Sequence, residues 1–197
     1  MTPINFSAAI LVKSSCRQVL YFRTHPQPVN EWMIKGSEWQ EEQVSKIPGA
    51  KSELCGTYTD HNIRIFFTND CVEEDKITEF KMVSGAASDY YFNNSILQAA
   101  LYKSMIMLGS TAFQTAEFRM KQGYPLEQVT VAKDIPYLLN FGGNMYEISV
   151  TKPQSIVDFF VEKARHATDW NDAAKWDAKY KYKEYQTLKD FITFKAI

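Results

Sequence analysis

The spacing of hydrophobic and polar residues changes several times along the chain, and each change predicts a new element. Four segments carry apolar residues at helical spacing: residues 4–23, 37–47, 96–108 and 153–191. Ser7 is a candidate cap for the first helix, and residues 93–95 are suited to cap the third. His25–Pro28 is expected to end the first helix. The last helix is expected to break near Thr168–Asp169.

Shorter segments rich in β-branched and aromatic residues predict strands. These segments are residues 57–67, 76–83, 127–134 and 145–152. Residues 113–124 fit either a strand or a helix. The acidic stretch 68–75 is expected to be the turn of a hairpin, with Asn69–Asp70 at its tip, because Asn and Asp favour turns. Gly142–Gly143 predicts a second turn.

The order helix, helix, hairpin, helix, strands, helix predicts an α/β domain with a small mixed β-sheet flanked by helices. The 197 residues suit one domain, with a C-terminal helical extension from about residue 153. No apolar run approaches the ~18 residues of a membrane span, and the first residues lack the features of a secretory signal. We therefore expect a cytoplasmic protein that does not contact a membrane, in the host cell if the source is viral.

Composition adds two constraints. Hydrophobic residues make up 45% and charged residues 23% of the chain, which favours a packed core over disorder. The net charge is −1, whereas proteins that grip DNA over a wide surface are usually basic. A nucleic-acid partner would therefore require locally concentrated positive charge or a narrow groove. The cysteines, Cys16, Cys55 and Cys71, include no CxxC pair, so neither a disulfide framework nor a structural zinc site is expected.

The chemistry of this chain is first suggested by Glu79 and Lys81 in the predicted strand KITEFKMV. Residues two apart on a strand project from the same face. A carboxylate there can hold a hard cation such as Mg²⁺, and a lysine can orient or help deprotonate an attacking water. The triplet alone is weak evidence, because most such triplets are surface ion pairs.

Two further features strengthen the pattern. If the hairpin turns at Asn69–Asp70, Asp60 lies opposite Glu79, and the two carboxylates can share a metal ion. Asp70 is the competing candidate, interpreted here as a turn residue. Gln98 and Tyr102 are four residues apart and lie on one helical face, where they either position a phosphate or Lys81, or mark the solvent edge of the helix.

The segments GTYTD, ITEFK and QAALY, in this order, resemble the RecB-like branch of the PD-(D/E)XK nucleases. The segments FSAAILVKSSCRQVLYF and KGSEWQEEQVSKI are similar to the opening helices of that family, so the resemblance extends from about residue 6 to residue 110. The C-terminal segment is more loosely similar to bacteriophage exonucleases. The resemblance implies a restriction-endonuclease-like core.

The resemblance also implies roles for individual residues. Asp60 and Glu79 would be metal ligands and Lys81 the catalytic lysine, while Gln98 and Tyr102 would either contact DNA or support the metal ligands. Further candidates are Glu41 or Glu42 as an added carboxylate, Gln40 where the family commonly has a histidine ligand, and Arg17 and Lys103 as phosphate contacts. Gln40 is a poor metal ligand, which departs from the family pattern.

The expected activity is a Mg²⁺- or Mn²⁺-dependent exonuclease acting on single- or double-stranded DNA in recombination, repair or viral DNA processing. A recombination or single-strand-binding protein is a candidate partner. No iron–sulfur cluster is expected, because the C-terminal part has no cysteine. The alternatives are a structure-selective endonuclease, an inactive nucleic-acid-binding protein on the same fold, and an accidental triplet in an unrelated metabolic enzyme.

A C-terminal run of aromatic residues interleaved with lysines leaves two interpretations open. It comprises Trp170, Trp176, Tyr180, Tyr182 and Tyr185 with Lys175, Lys179, Lys181 and Lys183. The run is either a stacking surface for a single strand, or Trp176 and Tyr180 pack this helix onto the sheet and the lysines form a solvated face.

Overall fold

The computed structural model describes residues 2–25 and 28–197, and in this part of the chain one mixed sheet of nine strands is flanked by helices. The strands are β1 Ile4–Ser7, β2 Lys51–Asp60, β3 Ile63–Val72, β4 Ile77–Lys81, β5 Ala112–Thr115, β6 Gln128–Thr130, β7 Tyr137–Phe141, β8 Asn144–Val150 and β9 Ile192–Ala196. Their order is β6-β5-β2-β3-β4-β7-β8-β9, with β1 parallel to β3. The predicted α/β class is confirmed, although the sheet is larger than expected.

The helices differ greatly in burial. They are α1 Ala8–Lys13, α2 Cys16–Thr24, α3 Glu31–Ser45, α4 Asp89–Met107, α5 Glu117–Lys121, α6 Pro153–His166, α7 Trp170–Tyr180 and α8 Glu184–Leu188, followed by a 3₁₀ turn at Lys189–Phe191. α4 is buried around nearly its whole circumference between Asn94 and Ile106, as expected for a helix without a polar face. It packs against α1, α6, β7 and β8.

The hairpin turns lie elsewhere than predicted. Residues 57–67 contain the end of β2, a tight turn at His61–Asn62, and the start of β3. His61 adopts a φ of 50°, the left-handed conformation that such turns require. Residues 68–72 extend β3, so the turn expected at Asn69–Asp70 is wrong. Residues 69–72 are all buried in the continued strand, and this burial outweighs the local turn preference of Asn-Asp.

The N-terminal segment is also divided differently. Residues 4–23 form β1, α1 and α2 rather than one helix. The Ser7 side chain makes no capping hydrogen bond, whereas Ser15 caps α2 through a capping box with Gln18. α2 ends at Thr24, and residues 26 and 27 of the expected break lie outside the described residues. α3 begins before Gly36, at Glu31.

The C-terminal part agrees with prediction from Gly142 to residue 180, whereas the strand β7 before it was not predicted. Gly142–Gly143 forms the turn between β7 and β8, and the long helix breaks between α6 and α7 at residues 167–169. Beyond α7 the predicted helix is interrupted at residues 181–183 and resumes as α8 and the 3₁₀ turn, and the chain then forms β9, a strand that was not predicted and that pairs with β8. No helix in the described residues combines the length and apolar character needed to cross a membrane.

Lys163 links the N-terminal helices to the C-terminal part of the chain through hydrogen bonds and an ion pair. Its side chain is fully buried, and its Nζ donates to the carbonyl oxygens of Leu11 and Ser14 at 2.6 and 2.7 Å. It also pairs with Glu184 Oε1 at 3.0 Å. Lys163 thereby satisfies carbonyls that the break between α1 and α2 leaves without helical partners.

Replacing Lys163 is expected to be strongly destabilising. Lys163→Ala leaves the Glu184 carboxylate and two carbonyls buried without their partner, so we predict a loss of about 3–5 kcal/mol in the free energy of unfolding. Urea denaturation measures this loss. Lys175→Ala, which removes an exposed lysine paired with Asp172, is the matched control and should leave the denaturation midpoint unchanged. A Lys163→Ala midpoint equal to the control's would contradict the prediction.

Candidate active site

Five polar side chains converge between the sheet and α4. They are Asp70 on β3, Glu79 and Lys81 on β4, and Gln98 and Tyr102 on α4. All are buried, with relative exposures of 8%, 1%, 9%, 3% and 2%. The antiparallel pairing of Cys71 with Thr78 places Asp70 beside Glu79. We call this set the acid–lysine cluster.

Hydrogen bonds fix the geometry of the cluster around Glu79. Its Oε1 atom accepts from Lys81 Nζ in an ion pair and from Gln98 Nε2 at 2.6 Å. Gln98 Nε2 also donates to Tyr102 Oη at 3.1 Å. Glu79 and Lys81 therefore project from one face of β4, and Gln98 and Tyr102 project from one face of α4, as the sequence predicted. Glu79 Oε2 is buried and has no hydrogen-bond partner among the described residues.

The Asp70 carboxylate is held by a hydrogen bond, but a negative charge is unfavourable at its position. The backbone N–H of Phe80 donates to Asp70 Oδ2 at 2.8 Å. Burial and then the Glu79 carboxylate raise the pKa of Asp70 well above its usual value, and the opposing effect of Lys81 is smaller. Burial lowers the pKa of Lys81, but Glu79 and Asp70 outweigh it, so the net pKa is raised. Such mutual perturbation is typical of functional sites.

Glu53 brings a third carboxylate to the edge of the cluster. Its Oε1 accepts from Gln40 Nε2 at 2.7 Å. Burial raises its pKa, which the Gln40 hydrogen bond partly offsets, and its charge in turn raises the pKa of Asp70. Glu53 has a positive φ of 57°, which is uncommon for a residue with a side chain. Sequence reasoning missed it because the predicted strand began at Thr57.

Asp60 does not lie in the cluster. It ends β2 and pairs with Ile63 across the His61–Asn62 turn. Its carboxylate contacts Arg165 and His61, each at 2.7 Å. The predicted position opposite Glu79 is therefore wrong, and Asp70 occupies it.

Most of the remaining predicted residues also lie outside the cluster, each held by a partner. The pairs are Glu42 with Lys46 at 2.8 Å, Glu41 with Arg119 at 2.5 Å, Arg17 with Asp177 at 3.1 Å, and Lys103 with the carbonyl of Ile148 at 2.7 Å. Gln40 alone approaches the cluster, through Glu53.

Two cavities meet at the cluster. The smaller, of about 220 Å³, is lined by Asp70, Glu79, Lys81, Gln98 and Tyr102 among others. The larger, of about 660 Å³, lies between α3 and the segment that joins β4 to α4. Lys81 and Lys13, the last residue of α1, line both. The buried acids therefore border only the smaller cavity, while Lys13 and Lys81 connect it to a larger one of ligand-pocket size.

The donor set is suited to a hard cation. No group of three or more His, Cys, Asp or Glu side chains in the described part of the chain is arranged to hold a metal ion. Mg²⁺, however, is commonly held by one or two carboxylates, with water and phosphate oxygens completing its shell. Asp70 and Glu79 supply two carboxylates, and the unpartnered Glu79 Oε2 is a free oxygen donor.

Comparison with known proteins identified no relative. No family model matches the chain, and neither does any curated protein or solved structure. The function is therefore inferred from the side chains of the cluster.

The raised pKa of Asp70 has a consequence for stability. An acid whose pKa is higher in the folded than in the unfolded state favours folding while it is protonated, and that contribution is lost as the pH rises. The loss begins near the unfolded value of about 3.9. We predict that Asp70→Asn, which cannot ionise, loses less unfolding free energy than wild type between about pH 4 and pH 8.

Urea titrations across this range measure the difference. Asp75→Asn removes an aspartate whose side chain is 78% exposed and should keep the wild-type pH profile. Identical profiles for Asp70→Asn and wild type in metal-free buffer would show that Asp70 is not perturbed as described.

Proposed function

We propose that this chain is a metal-dependent deoxyribonuclease of the PD-(D/E)XK type, in which Asp70 and not Asp60 is the first acid of the motif. The proposal includes a restriction-endonuclease-like core made of α3, β2, β3, β4, α4 and β7. In support, these elements carry every member of the acid–lysine cluster. The similarity noted at ITEFK and QAALY concerns residues that lie in contact.

The convergence of Asp70, Glu79 and Lys81 beside a cavity carries the proposal. Burying two carboxylates and an ammonium costs free energy, and well-packed apolar residues would often be at least as stable. Glu79 Oε2 adds the cost of an unsatisfied buried atom. A buried ionic cluster without an evident structural benefit favours a chemical role.

The residues divide the work by their contacts. Asp70 and Glu79 would hold Mg²⁺ or Mn²⁺, which when bound supplies a Lewis acid that stabilises charge on the phosphoryl oxygens. Gln98 and Tyr102 hold the Glu79 carboxylate in place from α4. Lys81, at the junction of the two cavities, orients the attacking water by donating a hydrogen bond.

We further propose an exonuclease mode on DNA in recombination, repair or viral DNA processing in the cytoplasm. This part rests on the looser similarity of the C-terminal segment to bacteriophage exonucleases. An inactive DNA-binding protein is the second candidate. Gln40 favours this candidate, because it stands where the family commonly has a histidine ligand. Its amide donates a hydrogen bond to Glu53 instead.

The nuclease proposal predicts metal-dependent cleavage that needs Lys81. End-labelled single- and double-stranded linear DNA should be degraded with Mg²⁺ or Mn²⁺ and not with EDTA, whereas a covalently closed circle should survive. Lys81→Ala should reduce the rate roughly 10²-fold or more, because the attacking water loses its orienting group. Gel analysis of the labelled products measures each rate.

A matched pair of aspartate variants locates the site. Asp70→Asn should abolish cleavage, and Asp60→Asn should keep it near the wild-type rate. Cutting of the circle would replace the exonuclease mode with an endonuclease mode. DNA binding without cleavage in either metal would favour the inactive binding protein, and equal rates for wild type and Lys81→Ala would refute the site.

A further inference from the structure

The larger cavity, which we call the α3 cleft, differs in charge from the rest of the molecule. The chain has 23 acidic residues, yet no aspartate or glutamate is among the described residues that line this cleft, while Lys13 and Lys81 both are. A cleft with this charge is complementary to phosphate. A nucleic-acid-binding protein with a net charge of −1 requires locally concentrated positive charge, and this cleft offers it.

Lys13 is a cation without a counter-ion. Lys81 is paired with Glu79, but Lys13 has neither an ion pair nor a side-chain hydrogen bond within the described residues. Lys13 is exposed to the cleft, but desolvation by the surrounding protein and then the nearby Lys81 charge lower its pKa to about 8, despite the opposing effects of Glu79 and Asp70. The proposed chemistry at the cluster gives Lys13 no task, so its charge is available to a ligand.

Exposed apolar side chains stand at the rim of the same cleft. Trp32 is 62% and Met33 42% exposed, on the first turn of α3. The ammonium of Lys35, which is paired with Glu31 at 2.7 Å, lies 5.3 Å from the centre of the Trp32 ring. Aromatic faces beside cations are the surfaces on which bases of single strands stack.

The cavity volume and the exposed ring together discriminate between paired and unpaired DNA. The cleft holds about 660 Å³, within the range of small-ligand pockets and far too little for a duplex. In a duplex the base faces are covered by neighbouring base pairs, and only their edges can be contacted. A ring that stacks on a base therefore requires that the base be unpaired.

We propose that the α3 cleft binds an unpaired DNA strand, with a base stacked on Trp32 and a backbone phosphate held by Lys13, and delivers it to the acid–lysine cluster. The inference rests on the proposed nuclease function and narrows its substrate to single strands or single-stranded ends. Lys13 is a binding residue here, and Trp32 sets the preference for unpaired bases.

The C-terminal aromatic run is the competing surface for a single strand. Trp176 is buried and packs against Phe159 of α6 and against Tyr180, so core packing of these two residues is confirmed, although the helix packs on α6 and α2 and not on the sheet. Trp170 remains 56% exposed, with the Arg17 guanidinium 5.7 Å from its ring. Because its exposure is close to that of Trp32, Trp170 is the matched control.

The test is binding of a fluorescein-labelled oligothymidylate of about twelve nucleotides, measured by anisotropy in EDTA so that no cleavage occurs. A blunt-ended duplex of the same length, without unpaired bases, is the comparison. Wild type should bind the single strand more tightly than the duplex. Trp32→Ala should weaken single-strand binding about 5- to 100-fold, while Trp32→Phe keeps most of it and Trp170→Ala all of it.

Lys13→Gln adds an independent readout. It should weaken binding and reduce the slope of log affinity against log salt by about 0.7, the value for one phosphate contact on a single strand. A wild-type affinity for Trp32→Ala, a loss in Trp170→Ala as large as in Trp32→Ala, tighter binding of the duplex, or no measurable binding would each overturn the inference.

The outcomes separate this inference from the proposed nuclease function. Trp32-dependent binding in EDTA without cleavage in Mg²⁺ or Mn²⁺ would support the cleft and refute the nuclease. Metal-dependent cleavage of single strands at an unchanged rate and KM in Trp32→Ala would support the nuclease and refute the cleft.

Discussion

The buried ion pair between Glu79 and Lys81 is the interaction on which the rest of the site depends. Glu79 is 1% exposed, and a carboxylate so deeply buried is tolerated only when charge and hydrogen bonds compensate it. Lys81 and Gln98 supply that compensation at one oxygen. The β3–β4 register then brings Asp70 alongside, and α4, buried on nearly all sides, fixes Gln98 and Tyr102. The negative charge of Asp70 beside Glu79 is left uncompensated, and a divalent cation would neutralise it.

Local periodicity predicted the parts of the site that lie within single elements. Glu79 and Lys81 share a strand face because strands repeat every two residues, and Gln98 and Tyr102 share a helix face because they are four apart. The partner acid was mistaken, since it depends on where a hairpin turns. Asn69–Asp70 has turn-forming residues, but β3 continues through them, and residues 69–72 are all buried. Burial of the strand outweighed the local preference of Asn-Asp for a turn.

Contacts between distant segments were beyond sequence reasoning. β1 joins the sheet beside β3 and β9 joins it beside β8, and neither short segment has a pattern that identifies its partner. Lys163 resembles any lysine of an amphipathic helix, yet it is fully buried because α1 ends at its ammonium. Glu53 and Lys13 likewise lie near the cluster because of how distant segments pack. Their positions follow from packing among elements rather than from neighbours in sequence.

The central claim is that Asp70 and Glu79 form a divalent-cation site, and direct metal binding tests it without reference to any substrate. Titration of Mn²⁺ followed by electron paramagnetic resonance counts free ion for wild type, Asp70→Asn and Asp60→Asn. The account predicts saturable binding by wild type and Asp60→Asn, and affinity at least about tenfold weaker for Asp70→Asn, because one of two carboxylate ligands is lost. Equal binding by wild type and Asp70→Asn, or loss of binding only in Asp60→Asn, would contradict it.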